Sequence, residues 1–275
     1  MRPLVYAHRG AMAECPQNTM AAFTRAWETG CDGIELDVQC SKDGIPYVFH
    51  DDTLDRLTGS SGRIRDHESD FIEGLDAGSH FSPRFTGERI PRLGQVLETS
   101  PEGSLLNIEL KSDIPDDAQW KAVIRTVTGW KKMQSDPDSP RETECRRLAA
   151  AVARCVRDAG KTRPYLENTI LFSSFDPAAL CAIARELPGA RLGFLWSTAI
   201  RYDTRPIMKH VTHHCWHPHF RLTGKRDIAE KHAEGKKVNV WTVNDEETAR
   251  RLAAFGVDGI ITNHPARMMR LFSRQ

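Results

Sequence analysis

The chain has 275 residues, 27% of them charged and 40% hydrophobic, with 38 Lys and Arg against 37 Asp and Glu, for a formal net charge of +1. That length suits one α/β barrel and buries a full core without disulfides. A chain so nearly balanced has no electrostatic case for wrapping nucleic acid or holding stably to an anionic membrane, so any phosphate recognition must be local.

Short β-rich runs alternate with longer helical patterns from end to end, the βαβ signature of a parallel sheet. The first strand candidate is Leu4–His8. An amphipathic stretch, 18–29, follows it, with Asn18 or Thr19 as the N-cap and Gly30 just past its end. The second strand candidate, 33–38, is followed by a run that fits no barrel count, 45–50. Between them stands Lys42-Asp43-Gly44, and Asp-Gly favours a two-residue hairpin turn. The second strand is therefore expected to pass the rim, turn at Asp43-Gly44 and come back antiparallel. If Lys42 pairs with Ile45, Asp37 stands directly across from His50.

Residues 51–90 are rich in Gly, Ser, Thr and charge, and read as an elaborated loop on the barrel's C-terminal face. Further strand candidates are 105–111, 169–174, Arg191–Trp196, 213–216, 238–243 and Gly259–Thr262, which with the first two make eight. Helical patterns cover 148–159, 177–187 and Glu246–Phe255. The segment 112–161 is long for one crossover, and its middle, 131–140, is polar, proline-broken and expected to be mobile. The expected architecture is one domain, 1–275, an α/β (β/α)8 TIM barrel with an insertion after the second strand.

The seven cysteines are odd in number and form no C-x-x-C pair, which fits reduced, mostly buried thiols in a cytoplasmic protein. No apolar run is long enough to span a membrane, and the N-terminus has no signal-peptide pattern.

The chemistry gathers at strand ends. In Glu35-Leu36-Asp37 the alternation of a strand sends both carboxylates to one face. Glu109-Leu110-Lys111 repeats the spacing with an ammonium in second place. Acids are poor strand formers and costly to bury, so three of them at neighbouring strand ends need a compensating cation. Three carboxylates suit a hard ion, Mg²⁺ or Ca²⁺, rather than zinc. From spacing alone, ion pairing with Arg9 and Lys111 is an equally good reading. Ala7-His8-Arg9-Gly10 adds an acid/base group beside a phosphate fork, and His50 returns to the same rim if the hairpin forms. His213, His214, His217 and His219 tempt a zinc reading, but rim-lining or surface roles are favoured.

These motifs, with Asn18-Thr19, Phe49-His50-Asp51-Asp52-Thr53-Leu54-Asp55-Arg56, Ser173-Ser174-Phe175 and Val240-Trp241-Thr242-Val243-Asn244, closely resemble glycerophosphodiester phosphodiesterases. The stretch Asp76-Ala77-Gly78-Ser79 and Ile90-Pro91-Arg92-Leu93 is similar to the cytosolic bacterial branch, which acts on water-soluble diesters. The resemblance implies metal-dependent release of sn-glycerol 3-phosphate from a small diester, with one divalent cation, Mg²⁺ or Ca²⁺. It makes Glu35, Asp37 and Glu109 the metal ligands, and His8 and His50 the general base and acid. Arg9 and Lys111 fall where the family holds the phosphate. Phe175 and Trp241 would wall the alcohol, with ordinary core packing an equal alternative. One departure is Pro16-Gln17-Asn18-Thr19, where the family usually reads Pro-Glu-Asn-Thr. Rivals are a lysophospholipase D-like or cyclising enzyme on the same barrel, and a non-catalytic phosphate-ligand binder. Direct water attack and prior attack by the glycerol hydroxyl both stay open, as do alcohol preference and a homodimer.

Overall fold

The structure is a computed structural model that describes residues 2–112, 140–197 and 209–273. Nine strands form one sheet: β1 (Leu4–His8), β2 (Gly33–Cys40), β3 (Pro46–Val48), β4 (Leu105–Leu110), β5 (Ile170–Ser174), β6 (Arg191–Trp196), β7 (Cys215–Pro218), β8 (Lys237–Val240) and β9 (Gly259–Thr262). Eight are parallel and close into a barrel, because β1 pairs with both β2 and β9. The exception is β3, which lies antiparallel on β2 as an arm. This is the (β/α)8 barrel with an excursion after the second strand that the alternation of patterns predicts.

Alternation within the strands builds the two sides of the wall. Val5, Ala7, Ile34, Leu36, Ile108 and Phe194 are buried in the main core, which they share with the helices. The residues between them, including His8, Glu35, Asp37 and Glu109, fall on the barrel's inner side. Helix Met20–Glu28 starts at Thr19, whose hydroxyl accepts from the Ala22 N–H, so of the two expected caps it is Thr19 that serves. Asn18 is left for other work. Gly30, at φ +72°, ends that helix in the left-handed conformation that costs glycine little.

Several boundaries differ from the sequence reading. Helix Pro140–Gly160 starts eight residues before the expected 148, because its first turns are buried through ion pairs rather than apolar contacts. Arg141 grips Asp176, and Glu142 meets Arg185 at 3.1 Å. The polar stretch 131–139 lies outside the described residues. Strand β7 sits two residues later than 213–216, since the backbone of 215–218 is taken up by β6 despite the weak strand signals of His217 and Pro218. Strand β8 stops at Val240 rather than 243.

The hairpin forms, but one residue out of the expected register. Val38 faces Val48, Gln39 faces Tyr47 and Cys40 faces Pro46. Asp37 therefore stands opposite Phe49, whose N–H donates to the Asp37 carbonyl at 2.9 Å, and not opposite His50. The loop holds three residues, Lys42, Asp43 and Gly44, and Gly44 takes φ +84°. The cause is the Asp43 side chain. It accepts from the Ser41 hydroxyl and from both the N–H and the hydroxyl of Ser69, pinning the turn to the insertion.

Residues 51–90 are more than a loop. Helices Asp55–Thr58 and Ser69–Glu73 and two 3₁₀ turns enclose a second small core. Tyr47, Phe49, Leu54, Ile64, Ile72 and Ile90 fill it. Its apolar residues are too irregularly spaced to show a period, which is why the sequence reads as loop. This cluster anchors the end of the arm that carries His50.

Candidate active site

Parallel register brings the acids together. His8 pairs with Glu35 across β1 and β2, and Asp37 pairs with Glu109 across β2 and β4. Glu35, Asp37 and Glu109 each offer a ligand atom within 4.8 Å of the others. Glu35 and Asp37 are 4% and 1% exposed, so water screens them little. Burial pushes the Glu35 carboxyl well above the usual range, and the neighbouring Asp37 and Glu109 charges push it further. Burial likewise raises Glu109 to about 7, despite Lys111 Nζ at 3.6 Å. Asp37 goes the other way: burial opposes its charge, but Arg9, His50 and Lys111 outweigh it and hold it down to about 2. Lys111 is disfavoured by burial but is raised on balance by Glu109 and Asp37.

The loop after β1 wraps around these acids. Arg9 adopts φ +52° and Asn18 φ +56°, a region that asparagine tolerates but arginine rarely enters. Both are tied down. The Arg9 N–H donates to Glu35 Oε2 at 3.0 Å, and the Asn18 N–H donates to the Arg9 carbonyl at 3.0 Å. Arg9 Nε lies 3.3 Å from Asp37 Oδ2, and Asn18 Nδ2 donates to the same oxygen at 2.9 Å. One oxygen of Asp37 is thus faced by both a guanidinium and an amide, which hold this carboxylate in place. A strained loop held by the acids it serves is the kind of backbone found at functional sites.

The two histidines are oriented differently. His8 Nδ1 lies 2.7 Å from Asn263 Oδ1, and an amide oxygen only accepts, so Nδ1 carries the proton. Its Nε2 then holds a lone pair, 3.9 Å from Glu35 Oε2. Burial, reinforced by Arg9, drops the His8 pKa to about 3, so the ring is neutral. His50 Nδ1 lies 2.9 Å from Asp51 Oδ1, and Arg56 clamps that carboxylate with two hydrogen bonds, of 2.7 and 3.0 Å. Burial lowers the His50 pKa, Lys111 and Arg9 lower it further, and Asp37 and Asp51 oppose them. His50 reaches the same field of charge as the acids even though its register differs from the expected one.

Opposite the acids, Phe175 and Trp241 meet edge to face, with ring centroids 5.5 Å apart. Both are half-buried, and Trp241 Nε1 donates to the His217 carbonyl at 2.8 Å. His8, Arg9, Glu35, Asp37, Glu109, Lys111, Phe175 and Trp241 therefore gather toward the C-terminal ends of their strands, and the arm brings His50 to them. The histidines of β7 divide. His219 lines the rim beside Trp241, with centroids 5.2 Å apart, and His214 is exposed, as expected. His213 and His217 are buried, which corrects the rim or surface reading for those two. The His217 ring occupies the space over Gly193, where an added Cβ would meet it at 2.8 Å. Three groups that orient the site carried no sequence signal of their role. They are Asn263, and Asp51 with Arg56 and Asn18, which stand in motifs of the family resemblance but carry no assigned role there beyond that of Asn18 as a candidate cap.

The Glycerophosphoryl diester phosphodiesterase family model matches residues 8–267. A glycerophosphodiester phosphodiesterase of Caldanaerobacter subterraneus is 32% identical over 280 residues, covering 98% of each chain. One from Bacillus altitudinis is 29% identical over 97% of each. Among solved structures, an Oleispira antarctica phosphodiesterase in complex with the product sn-glycerol-3-phosphate superposes with a TM-score of 0.80 and 28% identity, covering 99% of this chain and 97% of that one.

Proposed function

This chain belongs to the glycerophosphoryl diester phosphodiesterase family and is an enzyme that hydrolyses glycerophosphodiesters; from that premise we propose that Glu35, Asp37 and Glu109 hold one divalent cation at which the diester is cleaved. The observation that carries this is the crowding of three buried carboxylates, two of them pushed up in pKa by burial and by one another's charge. An all-carboxylate set fits Mg²⁺ or Ca²⁺. Such an ion, when bound, neutralises phosphoryl oxygens and polarises the phosphorus centre.

The chain's own residues supply the rest. Arg9 and Lys111 flank the acids and share the charge that develops on the phosphoryl group. His8, neutral with a free Nε2, takes the proton of the attacking oxygen. His50, kept in orientation by Asp51 at Nδ1, acts in its charged form and gives the Nε2 proton to the alcohol oxygen as the P–O bond breaks. The products are sn-glycerol 3-phosphate and an alcohol. Phe175 and Trp241 offer a flat apolar wall for the carbon skeleton of the substrate. The seven free cysteines suit a reducing compartment, and we place the enzyme in the cytoplasm on that ground.

The test is to incubate the protein with glycerophosphocholine, glycerophosphoethanolamine and glycerophosphoglycerol and to follow glycerol 3-phosphate with and without chelator. Turnover should vanish with chelator and return with Mg²⁺ or Ca²⁺. Full activity after exhaustive chelation would remove the cation from the site.

A further inference from the structure

Arg9 is held by a neutral partner. Its Nη1 donates to Gln17 Oε1 at 2.6 Å, a short hydrogen bond in which only the donor is charged. Because a guanidinium only donates, the amide must turn its oxygen toward it, so the orientation of Gln17 follows from chemistry. Gln17 is 7% exposed and sits on a firm loop, with Thr19 Oγ1 bonded to the Pro16 carbonyl at 2.7 Å on one side and Asn18 locked to Asp37 on the other.

That neutrality sets the charge of the pocket. With all three carboxylates ionised, as a bound cation would require, Glu35, Asp37 and Glu109 against Arg9 and Lys111 sum to one net negative charge, which a divalent ion would convert to one net positive charge. A phosphodiester is a monoanion and the monoester product approaches a dianion. A carboxylate at position 17 would hold the guanidinium as well but would return the loaded pocket to zero. We propose that Gln17 is a specificity-determining residue: it positions Arg9 without cancelling its charge and so keeps the loaded pocket attractive to phosphate anions. This rests on reading Arg9 as a phosphate ligand and the three acids as the cation site.

The geometry makes opposite demands on two ligands, and that is the test. In the full-length protein with chelator removed, Gln17→Glu should tighten binding of Mg²⁺ alone, because the extra carboxylate adds negative charge beside the acids. The same variant, loaded with Mg²⁺, should bind glycerol 3-phosphate more weakly, on the order of ten-fold for a full charge placed against the Arg9 guanidinium at a partly screened site. Calorimetry reads both without needing turnover, so an error about the substrate would not be mistaken for an error about Gln17. Gln17→Met, which fills the space but accepts no strong hydrogen bond, should weaken glycerol 3-phosphate without tightening Mg²⁺. Opposite shifts in Gln17→Glu support the proposal. Weakening of both ligands would make Gln17 a structural support only, and no change in either would remove it from the site; each overturns the proposal.

Discussion

The two ends of this barrel are built from the same residue types and behave differently. At the N-terminal end the two acids that sit against the strands, Asp32 and Asp258, each have their match. Arg2 meets Asp32 at 2.6 Å, and Lys237 and His232 meet Asp258 at 2.9 and 2.7 Å. Each carboxylate also accepts a strand N–H, from Val5 to Asp32 and from Val238 to Asp258. These pairs rim a cavity of about 630 Å³ whose walls, such as Leu4, Tyr6, Leu171 and Val257, are largely apolar. At the C-terminal end three acids crowd within 4.8 Å, deeper and with fewer cations. Paired acids at the first end serve the fold. Surplus acids at the second are the groups proposed to await a cation, and on that reading they lower the stability of the metal-free chain.

The sharpest break in that comparison comes from His8 and His50, which face the crowded acids, whereas His232 at the N-terminal end meets an acid already matched by Lys237. His8→Ala and His50→Ala should each reduce turnover by roughly 10²–10⁴-fold, the scale of a positioned acid or base, with little change in unfolding temperature. Steady-state rates with glycerophosphocholine check this, and near wild-type rates in both variants would remove the assignment.

The smallest effect is expected at the other end. Asp258→Asn leaves Lys237 and His232 without their carboxylate and weakens the bond to the Val238 N–H, and should cost about 1 kcal/mol of stability. Its kcat/KM should stay at the wild-type value. A large loss of activity there would mean that the two ends are not separate in function.

How much of this is legible in the sequence depends on how far apart the cooperating residues lie. The pair Glu35 and Asp37 is readable because strand alternation alone puts both on one face, and parallel pairing adds Glu109. The barrel is readable because its strand and helix periods alternate. The partner of His8 is not, since Asn263 lies 255 residues away and only barrel closure brings it to 2.7 Å. The hairpin register is decided by Asp43 reaching Ser69, a tertiary contact that overrides the two-residue turn preferred locally. The buried start of helix Pro140–Gly160 hides for a related reason: Arg141 and Glu142 look solvent-facing until Asp176 and Arg185 are placed beside them.

The surplus of negative charge at the C-terminal end is tested most directly by thermal unfolding of the metal-free protein against Glu109→Gln from about pH 5 to about pH 8. With its pKa raised to about 7, Glu109 keeps a proton in the folded state that it loses in the unfolded one. The stability this group contributes is therefore present below the ordinary carboxylate pKa and lost as pH rises through about 7. The amide of the Glu109→Gln variant cannot titrate, so in chelator the variant should gain on the wild type as pH rises and be the more stable of the two at the alkaline end. Adding Mg²⁺ there should raise the wild-type unfolding temperature and remove that advantage. A difference that ignores pH, or a wild type that stays the more stable at about pH 8 without metal, would contradict the view that these acids are held in excess for a cation.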